Sequence, residues 1–175
     1  MITTRSSLSR HQVVAAVADL LRPDQVDTDE DRLRASSVDR FRKYTAVHGI
    51  FDGPLPAAVV YPESTQEVAG LLELAHRERV AVVPRTGGTS TEGGLETVVE
   101  DSIVVDGSRM DRILSVDVED MMVTVQCGVP LRVLEEVLEQ EGLTTGHSPQ
   151  SKPLAKMGGL VATRSIGRPS SSTKS

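Results

Sequence analysis

One stretch constrains the fold more than any other: "LPAAVVYPESTQEVAGLLELAHRERVAVVPRTGG", residues 55–88. Ala57 to Tyr61 is a short apolar run closed by Pro62, the pattern of a buried strand that ends at a turn. Ser64 and Glu67 have the S-x-x-E spacing of a capping box, in which each side chain satisfies the other's free backbone donor, so a helix should begin there. Val68, Leu71, Leu72 and Ala75 give that helix a stripe to bury, and "VAVVP" at 80–84 reads as a second buried strand. The whole predicts a strand-helix-strand unit with right-handed parallel pairing.

The flanking sequence changes the sheet type. "SRHQVVAAVADLLRPDQ" places Val13, Val14, Val17, Leu20 and Leu21 at helical spacing, with Ser9 as N-cap and Pro23 as stop. The acidic and then basic segment after it, "DQVDTDEDRLRASSVDRFRKYTAVHG", has few core candidates before Phe41 and Tyr44 and reads as a solvated connection. Beyond the glycines, "SIVVD" at 102–106 is another strand, and "RILSVDVEDMMVTVQCG" shows two alternating runs hinged at Glu119 and Asp120, an antiparallel hairpin. Gly128 and Pro130 then introduce a helix with Leu131, Leu134, Val137 and Leu138 on one face, closed by Gly142. A βαβ unit, a further strand, a hairpin and helices make the class α+β: an N-terminal βαβ unit followed by a mixed or antiparallel sheet. The expected division is 1–43, an N-terminal helix and polar connection, and 44–175, the main domain. Phe41, Tyr44, Phe51 and Tyr61 are the whole aromatic complement, so the core must be largely Val, Leu, Ile and Ala.

Charge and composition exclude several functions. A formal charge of -6 with no concentrated basic face argues against nucleic acid. Cys127 is the single cysteine and no Cys/His cluster has metal-ligand spacing, so neither a disulfide framework nor a zinc site is expected. The N-terminus lacks a signal-peptide h-region and no apolar run approaches the roughly 20 residues that span a bilayer, so a soluble, cytoplasmic protein is expected.

The loop "VVPRTGGTSTEGG", residues 82–94, is the strongest chemical feature. No lysine follows the glycines as a P-loop requires, and Gly87, Gly88, Gly93 and Gly94 miss the dinucleotide G-x-G-x-x-G spacing. What remains is an anion nest, in which consecutive glycine-tolerant dihedrals point several N–H groups into one concavity and Thr89 and Ser90 add hydroxyl donors. A diphosphate suits that chemistry; a glycine turn without a ligand is the alternative. The tail "PQSKPLAKMGGLVATRS" repeats the combination of proline, small hydroxylated residues and a glycine pair.

Taken in order, "AAVVYPESTQEVAGLLELAHRERVAVVPRTGGTSTEGG" and "SIVVDGSRMDRILSVDVEDMMVTVQCGVPLRVLEEVLEQEGLTTGHSPQSKPLAKMGGLVATRSIG" resemble the FAD-binding domain of the FAD-linked oxidases. This is the vanillyl-alcohol oxidase and p-cresol methylhydroxylase superfamily, which includes D-lactate dehydrogenases, glycolate oxidases and alkyl-dihydroxyacetone-phosphate synthases. The resemblance covers about residues 40–174, and "TTGHSPQSKPLAKMGGLVATRSIG" is most similar to the synthase branch.

The resemblance implies a two-subdomain FAD-binding fold with FAD as cofactor. The FAD diphosphate would lie on Pro84, Arg85, Thr86, Gly87, Gly88, Thr89 and Ser90. The flavin side would be formed by Pro149, Gln150, Ser151, Lys152, Pro153, Leu154 and Ala155, with Gly158, Gly159, Thr163, Arg164, Ser165 and Ile166 after them. Tyr61 and Pro62 would lie near the adenine. It further implies a small-molecule substrate of hydroxy-acid or alcohol type, or in the synthase branch a net exchange of acyl for alkyl; a homo-oligomer is compatible with either. Two departures stand out. Thr86 replaces the first Gly of a Gly-Gly-Gly run, and the sequence stops at Ser175 where relatives continue with Tyr-Gly, the rest of the FAD domain and a cap domain. A truncated member, catalytically incomplete alone, is therefore a third expectation.

Four further readings complete the sequence. His147 could face the isoalloxazine or move a proton, or be a loop histidine hydrogen-bonded to backbone. His76, amid Arg77, Glu78 and Arg79, is expected to face solvent. Cys127 reads as a small buried hydrophobe. Asp106, Asp117 and Asp120 flank strand ends, where turn chemistry accounts for them.

Overall fold

A computed structural model describes residues 6–40 and 53–169. Phe41, Tyr44 and Phe51, and the domain boundary expected at 43/44, lie outside the described residues. The chain divides into two compact units, Met1–Arg109 and Met110–Ser175.

The first unit is built on a four-stranded sheet in the order β1-β2-β4-β3, with β1 Val26–Asp27, β2 Ala58–Val60, β3 Val82–Arg85 and β4 Ile103–Asp106. Strands β2 and β3 each pair with β4 in parallel, and β1 joins the β2 edge antiparallel, with Val26 opposite Val60. The strands joined by the crossover helix are therefore parallel but not neighbours: β4, whose Ile103 and Val104 are fully buried, inserts between them. A strand buried on both faces lowers the free energy most at the centre of a sheet.

Helix α1, Arg10–Ala18, packs Val13 and Val17 into the main core, and the Gln12 carboxamide accepts the Ser9 N–H at 2.9 Å. The segment expected to be a solvated connection is folded. Pro23–Gln25 forms a 3-10 turn, β1 follows, and α2, Glu30–Ser36, starts where Asp29 accepts the Arg32 N–H and buries Leu33 against β2 and β4. Its charged residues occupy the solvent side of a short amphipathic helix, which the charge pattern concealed.

The crossover helix α3, Thr65–Glu78, starts as expected with Ser64 Oγ accepting the Glu67 N–H at 3.2 Å. The reciprocal half of the capping box is displaced: the Glu67 carboxylate accepts from the Glu63 N–H at 2.6 Å and from Gln25 Nε2 at 2.9 Å. The buried face is Leu71, Leu74 and Ala75; Leu72, expected inside, is 51% exposed because the stripe follows the 71, 74, 75 spacing. His76 is exposed, as expected.

The second unit contains the hairpin, β5 Ile113–Asp117 and β6 Met122–Val125, paired antiparallel across the expected turn, where Asp117 Oδ1 accepts the Asp120 N–H at 2.9 Å. Helix α4, Leu131–Gln140, packs Leu134 and Leu138 with Val129 against Ile113, Val116, Val123 and Val125. The short strands β7, His147–Ser148, and β8, Arg168–Pro169, pair antiparallel, and a helix α5, Met157–Ala162, lies between them in sequence.

Candidate functional site

In the first unit three parallel strands end at one edge, the position where open α/β sheets bind ligands. β2 delivers Tyr61, β4 delivers Asp106, and β3 runs into the glycine-rich loop. Gly88 has φ +63°, a left-handed conformation that favours glycine. Among the described residues, the amides of Gly87, Gly88, Thr89 and Ser90 donate to no protein acceptor, whereas the limbs on either side are bonded. The Ser90 carbonyl accepts the Arg40 N–H at 2.9 Å, and Gly93 donates to Asp39 Oδ2 at 2.5 Å.

Arg85 turns inward beneath this loop. A Cβ at Gly88 would lie 2.8 Å from Arg85 Nη2, so the guanidinium occupies the space that a side chain there would take. Its partners are distant: the Ser36 carbonyl at 3.5 Å, the Val38 carbonyl at 3.4 Å and Asp106 Oδ2 at 3.9 Å. Burial pulls the Arg85 pKa down from its usual value, opposed by the Asp106 carboxylate, and the group stays cationic. Neutral amides above a sparsely paired, partly buried cation form a donor set that fits a diphosphate dianion.

Asp106 joins the loop to a cleft of about 490 Å³ lined by Pro23, Asp24, Val26, Asp27, Arg32, Tyr61, Ser108 and Arg109. The Asp106 carboxylate also accepts the Ser108 N–H at 2.9 Å, the turn chemistry expected of it. Arg109 lies 5.2 Å over the Tyr61 ring and bonds Asp24 Oδ2 at 2.8 Å and Glu63 Oε1 at 3.2 Å. Hydrogen bonds from Arg109 and then Arg22 hold the Asp24 carboxyl below its ordinary value, and those from Arg22 and then Arg109 do the same for Glu63. Burial pushes the Tyr61 hydroxyl up. Arg32, Asp39 and Arg109 carried no sequence signal for this edge, since each is a charged residue in a polar stretch placed by long-range pairing.

The second unit carries the other expected segments. Pro149 to Ala155 forms a turn in which Lys152 N–H donates to the Pro149 carbonyl at 3.0 Å and Ala155 N–H to the Ser151 carbonyl at 2.8 Å. Gln150, Pro153 and Leu154 are exposed, while Ala155 is buried and its carbonyl accepts from Leu131 N–H at 3.0 Å. Gly158 sits against Cys127: a Cβ there would be 2.6 Å from the Cys127 Cβ, which is why glycine is needed at this first turn of α5. Cys127 is only half-buried, contrary to the expectation of a buried hydrophobe. Past Gly159, whose carbonyl accepts the Thr163 hydroxyl at 2.8 Å, the chain turns through Arg164 at φ +48°, leaving Ile166 98% exposed. His147 Nε2 lies 3.3 Å from Ser165 Oγ, so its local partner is a side chain rather than backbone.

The chain as a whole is similar to known proteins. Residues 56–173 match the FAD binding domain family. An uncharacterized FAD-linked oxidoreductase, YgcU, of Escherichia coli K12 is 56% identical over 162 residues, 93% of this chain and 34% of that protein. A mitochondrial cytochrome D-lactate dehydrogenase of Saccharomyces cerevisiae is 38% identical over 114 residues, 64% of this chain and 19% of that protein. The fold superposes on alkyldihydroxyacetonephosphate synthase with a TM-score of 0.83 at 28% identity, covering 95% of this chain and 31% of that one. The chain thus spans about a third or less of the length of the relatives it matches. Among the described residues no helix is long and apolar enough to cross a membrane, and none of the His, Cys, Asp and Glu residues cluster as a metal site would require. The chain belongs to the family of FAD-binding domains of FAD-linked oxidoreductases, with FAD as its cofactor.

Proposed function

We propose that the FAD diphosphate rests on the amides of Gly87, Gly88, Thr89 and Ser90, with the Thr89 and Ser90 hydroxyls as further donors and the Arg85 charge beneath. The single observation behind this is a run of loop amides with no acceptor among the described residues, lying over a partly buried and sparsely paired guanidinium. Pro84 and Thr86 shape the entry to the loop, and the cleft beside Tyr61 takes the adenine end. Pro149, Gln150, Ser151, Lys152, Pro153, Leu154, Ala155, Gly158, Gly159, Thr163, Arg164, Ser165 and Ile166 form the flavin side. Gln150, Pro153, Leu154, Thr163, Arg164 and Ile166 are exposed, which leaves this side open to a flat ring.

In the whole protein, bound flavin supplies the acceptor for a hydride or electron pair, and the protein orients it and excludes water. The substrate class we favour is a hydroxy acid or alcohol, supported by the likeness to a D-lactate dehydrogenase. A second reading, exchange of acyl for alkyl on a glycerone phosphate, is supported by the likeness to alkyldihydroxyacetonephosphate synthase. This chain by itself acts as the FAD-binding part, and turnover depends on the substrate-shaping region of a full-length protein.

Purified chain titrated with FAD tests the binding. Flavin absorption retained through gel filtration is expected, with stabilisation of about 2.7 kcal/mol once free FAD reaches a hundredfold excess over Kd. Colourless protein whose melting temperature ignores FAD refutes it. Assay of a full-length protein with 2-hydroxy acids and an artificial electron acceptor, against an acyl glycerone phosphate and a long-chain alcohol, separates the two activities.

A further inference from the structure

Asp39 is 1% exposed, the most deeply buried acidic residue among those described, and it lies outside every motif of the sequence. Its Oδ2 accepts the Gly93 N–H at 2.5 Å, and the next residue, Arg40, donates its N–H to the Ser90 carbonyl at 2.9 Å. These two bonds close the four-residue turn Ser90, Thr91, Glu92, Gly93 from outside. The same short segment is tied at both ends of the loop. Arg85 Nη1 points at the Ser36 and Val38 carbonyls at 3.5 and 3.4 Å, and the Ser37 carbonyl accepts the Thr97 N–H at 3.0 Å.

None of these bonds uses the amides of Gly87 to Ser90. A loop holding two glycine pairs samples many conformations when untethered, and a ligand would bear the cost of ordering it. A carboxylate accepting a backbone N–H is the stronger, charge-assisted form of such a tether. Its negative charge beside an anion site opposes the ligand, so its presence there calls for a structural role.

We infer that Asp39 is a positioning residue for the anion loop: by holding Gly93, with Arg40 holding Ser90, it presets the loop so that the amides of Gly87 to Ser90 converge on the ligand. The inference rests on the diphosphate reading above. Asp39 touches no ligand; it acts through the loop.

The test compares wild type, Asp39→Ala, Asp39→Asn and a surface control, Asp101→Ala, by FAD titration and by amide hydrogen exchange of the FAD-free proteins. Asp39→Ala should bind FAD at least about 10-fold more weakly, and its Gly93 and Arg40 amides should exchange faster while the α3 amides keep wild-type rates. Asp39→Asn keeps an acceptor oxygen and should stay within about threefold of wild type, as should the control. Equal FAD affinity in wild type and Asp39→Ala overturns the inference, and so does an Asn variant as weak as the Ala variant. If wild type takes up no FAD, the diphosphate reading fails instead. The exchange data still decide the tether, which is wrong if Gly93 exchanges at the wild-type rate in Asp39→Ala.

Discussion

Replacing Gly88 with Ala perturbs two terms that can be worked separately. The residue sits at φ +63°, where a non-glycine residue costs about 1–2 kcal/mol. The new methyl would lie 2.8 Å from Arg85 Nη2 and 3.3 Å from Cζ, so the guanidinium must move. The arginine is the end of a flexible side chain, yet only 14% of it is exposed, and displacement gives up its carbonyl and Asp106 contacts, about 1 kcal/mol in total because those bonds are long. The sum, about 2–3 kcal/mol, corresponds to a Tm lowered by roughly 5–10 °C in a chain of this size. FAD affinity should fall at least about 10-fold, since the methyl and the displaced arginine both disturb the nest. Circular dichroism melts and fluorescence titration with FAD measure the two effects. Gly142→Ala is the internal control: φ is +70° but nothing lies within 4 Å of the added methyl, so Tm should fall by about half as much with FAD affinity unchanged. A Gly88→Ala protein that melts within about 1 °C of wild type and binds FAD normally would show that the loop is not packed on Arg85 and that the diphosphate lies elsewhere.

Three other perturbations probe the frame around the site. Gly158→Ala drives a methyl to 2.6 Å from the Cys127 Cβ and 3.0 Å from its carbonyl oxygen, so thermal melts should show a loss of about 1–3 kcal/mol. Cys127→Ala should not restore it, because the clashing atoms remain. Gln25→Leu removes the bonds from Nε2 to the Tyr61 carbonyl at 3.0 Å and to Glu67 at 2.9 Å, and the acceptor of Arg22 N–H, at a fully buried site. Urea denaturation should register about 2–4 kcal/mol. Glu135 accepts from the Thr144 hydroxyl at 2.9 Å and from the Thr145 amide at 2.9 Å, and also bonds the Thr145 hydroxyl. Burial pushes its carboxyl up, but these hydrogen bonds and Lys152 outweigh burial and leave the pKa below the ordinary value. A depressed carboxyl stabilises above its unfolded pKa and loses that contribution as pH falls through the folded one. Glu135→Gln should therefore be less stable than wild type near pH 7, with the gap closing once the pH drops below the ordinary glutamate value of 4.5; a gap constant from pH 7 to 3 refutes this.

Much of this was legible in the residues because its causes are local. Ser64 capping, the 131, 134, 138 stripe of α4, the Asp117 turn and the glycine-rich loop after β3 each depend on neighbours within a few positions. The neighbour of each strand was not local. Nothing in "AAVVY" or "VAVVP" says that "SIVVD" inserts between them, because all three are equally apolar and a sheet ranks them only by how completely each is enclosed. The fold of the segment from Asp24 to Ser36 is hidden in the sequence for a related reason: strand Val26–Asp27 exists only through pairing with β2, and α2 buries little beyond Leu33.

The candidate site divides the same way. Sequence alone marked where a diphosphate could be held, since adjacent glycines and small hydroxylated residues after a strand provide free amide donors in few other ways. Only the tertiary structure decided what surrounds the loop. It folded Arg85 beneath Gly88, carried Asp39 some fifty residues along the chain to Gly93, and brought Arg109 over Tyr61 at the ends of β2 and β4. Those placements come from burial and pairing across long sequence separations, where a charged residue in a polar stretch looks the same whether it faces water or anchors a loop.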